Sequence, residues 1–243
     1  MLFESLIKEL ESLKNDKKAE FDKKIVHTSK AVFLGVNSND LKKIAKNIIK
    51  NNSLDEVLNL INNITTGQYY ELDLIKSLLI NYSKLSINEY IELIDQYSYS
   101  IDNWATCDST VTNSKIKKCD LSLLYKYVEK LSFDQKYPFR TRLGIVYMIK
   151  YGMEKEAFLS YLNILENINV GDYYIDMAIS WFLSYGCIYH FDETINYLLT
   201  SKNINKFIYK KTLQKALESY RISDENKILI REYRHKRFKN EEF

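Results

Sequence analysis

Apolar residues recur at helical spacing through nearly the whole chain. From Tyr69 onward they do so in paired segments whose first members start near positions 69, 102, 139, 172 and 207, an interval of roughly 35 residues. A helical pair of that length cannot bury its own apolar face. Neighbouring pairs must stack into one extended core, and the small rotation from repeat to repeat bends the stack and leaves a concave surface. A single proline, Pro138, and six glycines leave few of the punctuators that hairpins and sandwich turns require. The expected class is therefore all-α, a curved α-solenoid of HEAT-like helical repeats with a concave groove suited to an extended polymer.

The periodicity predicts helices over Leu2 to Leu13, Leu41 to Ile49, Leu54 to Ile61, Tyr69 to Tyr82, Ile87 to Tyr97, Asp102 to Ile116, Leu121 to Leu131 and Phe139 to Lys150. It continues over Lys155 to Leu165, Asp172 to Tyr189, Phe191 to Leu199, Phe207 to Tyr220 and Asp224 to Arg234. Asn37-Ser38-Asn39-Asp40 reads as a cap before the second of these. About six helical pairs in one domain over 1–243 are expected, with a basic tail over 231–243 that frays. At 46 % hydrophobic residues the chain can bury a continuous core.

Cys107, Cys119 and Cys187 are odd in number and contain no CxxC pair, so no disulfide framework is expected. No leader-like segment follows Met1 and no apolar run reaches the roughly 18 residues of a membrane span, so the sequence reads as soluble and cytoplasmic. The net charge of +3 is too small to name a partner. Its distribution says more: Lys42, Lys43, Lys46 and Lys50 share one segment, Lys115, Lys117 and Lys118 close the segment that begins near 102, and Arg231, Arg234, Lys236, Arg237 and Lys239 crowd the tail. Lys42, Lys43, Lys46 and Lys115 are candidate phosphate contacts; a solvated helix face is the alternative for each.

Four residues stand out on successive segments: Trp104 and Asp108, then Arg142, then Trp181. Trp104 has the polar neighbours Asp102, Asn103, Thr106 and Ser109, and Asp108 four residues on shares its helical face, which predicts a half-exposed indole beside a carboxylate. Trp181 lies in a stripe with Tyr174, Ala178 and Tyr185, which suits either a core position or a ligand contact. Asp108 is open to a purely local role as a hydrogen-bond acceptor for neighbours such as Ser109 or Thr112. On the repeat spacing all four are expected to converge on one concave wall, where aromatic faces, a carboxylate and a guanidinium suit a phosphodiester strand and a developing sugar cation.

In this order and at this spacing the chain resembles the AlkD-like DNA alkylation repair family, HEAT-like-repeat DNA glycosylases. The residues that carry the resemblance are Phe33-Leu34-Gly35-Val36 followed by Leu41 to Lys46, Asn103-Trp104 with Asp108, Arg142 before its apolar run, Tyr173-Tyr174 with Met177 to Trp181, and Lys215 with Glu218-Ser219-Tyr220-Arg221. The resemblance implies that Asp108 is the catalytic carboxylate, that Trp104 and Trp181 contact the sugar, and that Arg142 contacts the DNA backbone near the lesion. It also implies double-stranded DNA with alkylated bases as the substrate, excision of cationic N3- and N7-alkylpurines without base flipping, and a monomer without cofactor. Ala105 departs from members with a second acid beside the tryptophan.

A non-catalytic HEAT-like module that binds DNA structures or a protein partner is the alternative. The chain has no GxGxxG, Walker-A or HExxH pattern, and His27, His190 and His235 have no partner at metal-ligand spacing, so no metal site is expected. Cys107 beside Asp108 has no histidine near it in sequence to make a thiol nucleophile.

Overall fold

The computed structural model describes residues 2–26, 29–134, 136–234 and 236–238. Among these, every regular element is helical: α1 (Leu2–Ser12), α2 (Asp16–Ile25), α3 (Ser38–Asn51), α4 (Leu54–Asn63), α5 (Tyr70–Tyr82), α6 (Ile87–Ser98), α7 (Trp104–Asn113), α8 (Leu121–Ser132), α9 (Pro138–Tyr151), α10 (Lys155–Leu165), α11 (Tyr173–Tyr189), α12 (Phe191–Thr200), α13 (Lys206–Glu218) and α14 (Asp224–Tyr233), with a 3-10 turn at Lys118–Asp120. Extended pairing among the described residues is limited to an isolated parallel bridge between Val32 and Tyr69. The all-helical class expected from the periodicity is the one observed.

The helix ends follow local chemistry. Ser53 with Glu56 and Ser86 with Glu89 form reciprocal capping boxes that start α4 and α6, each worth about 1 kcal/mol. Pro138 occupies the first turn of α9, where a missing N–H is harmless. Asp172 caps α11 by accepting from the amides of Tyr174 and Ile175. At α3 the cap residue is Asn37, as its neighbourhood suggested, although its side chain makes no capping bond.

Two elements differ from the sequence reading. α2 was not anticipated: in Asp16–Ile25 only Ala19 is buried, so the segment lacks an apolar stripe, and its start is fixed by Asn15, whose side chain accepts from the Lys18 amide at 3.0 Å. α7 is shorter than 102–116. Asn103 caps it by accepting from the Thr106 amide at 2.8 Å, while Ser114 folds its hydroxyl back onto the Val111 carbonyl at 2.6 Å. Such side-chain to backbone bonds compete with helix continuation. Lys115 and Lys117 consequently lie in the connection beyond α7, and Lys118 opens the 3-10 turn, so none of the three closes that helix.

The chain divides into two compact units, Met1–Leu124 and Tyr125–Phe243, with the division falling inside α8. In the first, α5 packs against both α3 and α7 and is flanked by α4 and α6. In the second, α11 packs against both α9 and α13, with α12 beside it and α14 on α13. Within each unit, alternate helices thus form a continuous row, each packed on the next. That is the stacking a repeat requires, because each central helix must bury two faces. α11 accordingly buries Ile175, Ala178, Ile179, Phe182, Leu183 and Cys187.

At the tail, α14 ends at Tyr233 and Arg237 donates to the carbonyls of Leu198 and, at 2.7 Å, Ser201. The rest of the tail singled out above, His235 and residues 239–243, lies outside the described residues, as does His27.

Candidate nucleic-acid site

The first unit builds a platform for Trp104. Three successive amides, Leu34, Gly35 and Val36, donate to the buried carboxylate of Glu71 at 3.0, 2.7 and 3.3 Å. An acid fully removed from water needs such donors. Gly35 adopts φ +77, and its backbone lies so close to the first turn of α2 that a β-carbon there would sit 2.2 Å from the Asn15 carbonyl oxygen. The loop carrying Phe33 is thereby pinned to α2. Phe33 stacks on Tyr70 at 4.6 Å between ring centroids. Ala19, Val26 and Ala31 complete a small apolar cluster with them, and Trp104 packs on it.

Trp104 is half-buried, as its polar neighbours suggested. Its indole N–H donates to the Ile25 carbonyl at 3.2 Å, which fixes the ring to the end of α2. Asp108, one helical turn on, is also half-buried, whereas Thr106, Cys107, Thr110 and Val111 of the same helix are buried. The Asp108 carbonyl accepts from the Thr112 hydroxyl, so the local bond foreseen between these residues uses the backbone of Asp108. α7 itself is anchored to α5 through Asn81, whose amide donates to the Thr110 carbonyl at 2.9 Å. Asp102 just before α7 accepts from the Lys30 amide at 3.2 Å.

A second acid lies beneath this platform. Burial pushes the carboxyl of Asp73 up to about 7, with the nearby charges of Asp102 and Glu71 adding to the rise and the Gly67 amide opposing it. The sequence pattern held no hint of it, since Asp73 lies amid the apolar run of α5.

In the second unit, Arg142 is only 6 % exposed, and its Nη1 donates to the Tyr174 carbonyl at 2.9 Å, joining α9 to α11. The side chain foreseen as a backbone contact therefore has a structural bond to satisfy. Phe139 and Tyr174 pack on each other across the same two helices, their centroids 4.9 Å apart. Trp181 is half-buried on α11, with Tyr185 edge-on at 6.3 Å. Asp176 orients α11 by accepting from the Gly171 amide at 3.0 Å and from the Asn205 side chain of the adjoining helix start at 2.8 Å.

Of the four residues singled out in the sequence, two lie in each unit. Trp104 and Asp108 share α7, and Arg142 and Trp181 stand on the packed neighbours α9 and α11. Of the lysines, Lys46 is exposed and lies 5.8 Å over the Tyr82 ring, Lys43 pairs with Asp40 at 3.0 Å, and Lys42 is half-buried. Lys115 is exposed and, with Lys117, lines a pocket between the α5–α6 turn and the connection after α7.

Missed by sequence reasoning is a cluster around Arg221. Its guanidinium lies 4.8 Å from the Tyr189 ring centroid and 5.7 Å from that of Tyr185, and Nη2 donates to the Tyr189 hydroxyl. Tyr185 and Tyr189 follow Trp181 at helical spacing, which was a usable signal, but their pairing with a residue beyond α13 was not.

Among the described residues, no three His, Cys, Asp or Glu side chains gather as a metal site, and no helix is long and apolar enough to cross a membrane. Cys107 and Cys187 are buried, and burial pushes the Cys187 thiol up to about 12. No curated protein matches the chain. The family described as DNA alkylation repair enzyme matches residues 6–218, which include α7, α9 and α11 with their tryptophans, acid and arginine, and the chain belongs to that family.

Proposed function

We propose that this DNA alkylation repair protein is a DNA N-glycosylase that releases N3- and N7-alkylated purines from duplex DNA, with Asp108 as its catalytic carboxylate. The observation that carries the reading is the pair on α7. Trp104 and Asp108 keep surface exposed on the open side of a helix whose opposite side, Thr106, Cys107, Thr110 and Val111, is buried, and the indole is fastened at its N–H to Ile25.

The chemistry explains the residue types. An N3- or N7-alkylated purine is already cationic. When its bond to C1′ breaks, the electron pair goes to the base, which leaves neutral without a general acid. The positive charge moves to the deoxyribosyl oxocarbenium. A fixed carboxylate and aromatic faces stabilise that cation, and Asp108 orients the water that adds to C1′ and takes up the proton it sheds. One acid then suffices where an ordinary glycosidase needs two. Neither a metal nor a cofactor is required, and an open aromatic-acid pair suits a lesion left in the stack better than an extruded base.

Trp181 supplies a further aromatic face to the strand. Arg142 contributes chiefly by holding α9 to α11, with its small exposed edge available to a phosphate. Lys42, Lys43, Lys46 and Lys115 give sequence-independent attraction to the backbone.

The test is release of free base from duplex DNA containing N7-methylguanine or N3-methyladenine, with undamaged duplex as control. Release from the damaged duplexes alone supports the proposal. Binding to all three without release identifies a DNA-binding scaffold that does not excise.

A further inference from the structure

On α11, Trp181, Tyr185 and Tyr189 occupy positions i, i+4 and i+8, one above the next along a single face. Trp181 and Tyr185 are partly exposed and Tyr189 is 49 % exposed. Arg221, in the turn after α13, lies against the two tyrosines. Among the described residues its side chain has no carboxylate partner, and its one hydrogen bond goes to the neutral hydroxyl of Tyr189. The side chain is exposed to solvent.

A surface arginine without a function ordinarily swings freely or pairs with a nearby acid. Here the charge is held over two ring faces and aimed by a phenol. The guanidinium carries five N–H donors in a planar fork, of which one is used. The remainder can take two oxygens of a phosphodiester side by side, and immobilisation on the rings lowers the entropy lost in doing so. The adjoining row of aromatic faces is the companion such a cation has in strand-binding grooves, where bases or sugars stack while the cation holds the backbone.

We propose that Arg221, held by Tyr185 and Tyr189, is a binding site for one backbone phosphate of the DNA strand, and that Tyr185 and Tyr189 continue the aromatic row begun by Trp181. The site rests on the DNA-binding reading above and adds to it a contact assigned to this chain's own residues.

The test compares wild type with Arg221→Gln, Arg221→Lys and Tyr189→Phe, measuring affinity for a fluorescein-labelled duplex by anisotropy across a sodium chloride series. Circular dichroism melts check that each variant is folded. Loss of one phosphate contact lowers the slope of log affinity against log salt by about one, and weakens binding roughly ten- to hundredfold at low salt. Arg221→Gln is expected to show both effects. Arg221→Lys keeps the charge and loses the fork, so it retains the slope with a smaller loss of affinity. Tyr189→Phe removes the aiming hydroxyl and weakens binding without changing the slope. A purely structural role for Arg221 would lower the melting temperature and leave the slope alone, which overturns the proposal. If wild type binds DNA and Arg221→Gln matches it in affinity and slope, the site is refuted while the DNA reading stands. If wild type binds no duplex at any salt, both fall.

Discussion

Replacing Gly35 with alanine tests whether the Trp104 platform depends on the close approach of the loop to α2. At φ +77 a β-carbon costs about 1–2 kcal/mol in backbone strain alone. Built on this backbone, it would also lie 2.2 Å from the Asn15 carbonyl oxygen and 2.5 Å from the Ala19 amide nitrogen. Those two atoms form the opening hydrogen bond of α2, at 2.9 Å, so the methyl would wedge into that bond. Neither atom belongs to a flexible side chain, and relief requires moving α2. Overpacking of this kind costs about 1–3 kcal/mol. Gly35→Ala is therefore expected to lose about 2–5 kcal/mol in urea unfolding. Gly67→Ala serves as the control: its φ is +81 but nothing lies within 4 Å of the added carbon, so only the strain of about 1–2 kcal/mol applies. Because the end of α2 holds the indole, Trp104 emission, read in a Trp181→Phe background, should shift in Gly35→Ala and not in Gly67→Ala. Equal losses in the two variants with unchanged emission would refute the argument.

Asp73 gives a pH signature. With a folded value near 7 against an ordinary 3.8, it is protonated in both states below about pH 4, and the unfolded chain releases its proton first as pH rises. Stability therefore falls between about pH 4 and 7, by at most about 4 kcal/mol from this group, and unfolding of Asp73→Asn should lack that component. Arg142→Ala removes the bond between α9 and the Tyr174 carbonyl of α11 and empties a buried site, so thermal and urea unfolding should show a loss of about 2–4 kcal/mol. Weakened DNA binding at full stability would instead mean that the guanidinium faces the strand. If Asp108 and Trp104, one turn apart on α7, stabilise the same cation, their single and double substitutions should be non-additive in excision rate; strictly multiplicative effects would separate their roles.

How much was legible depended on the kind of signal. Helices with an apolar stripe and a cap, such as α4 with Ser53 and α11 with Asp172, were visible to within a residue or two, because burial and capping are both written locally. α2 was not, since its hold on the fold comes from Asn15 and from contacts with distant Phe33 and Trp104. The half-buried state of Trp104 followed from its polar neighbours. The burial of Arg142 did not, because a charged residue in an apolar run is compatible with either side of the helix, and its bond to the Tyr174 carbonyl is a long-range contact that no local pattern records. Glu71 and Asp73 were unreadable for the same reason: their partners, the amides of 34–36 and of Gly67, are backbone groups that no side-chain pattern records. The division at Leu124 leaves no mark either, since it falls within a helix and no proline or glycine linker accompanies it.

The central claim is that Asp108 stabilises the transition state of base excision. It is tested most directly by the single-turnover rate of N7-methylguanine release from duplex DNA, with enzyme in excess, for wild type and Asp108→Asn. The substitution keeps size and shape and removes the charge. The account predicts a rate lower by on the order of 10²-fold or more, with DNA affinity unchanged or higher because a negative charge near phosphate is gone. Equal rates for the two proteins, or no release by wild type while it is bound to the DNA, would contradict it.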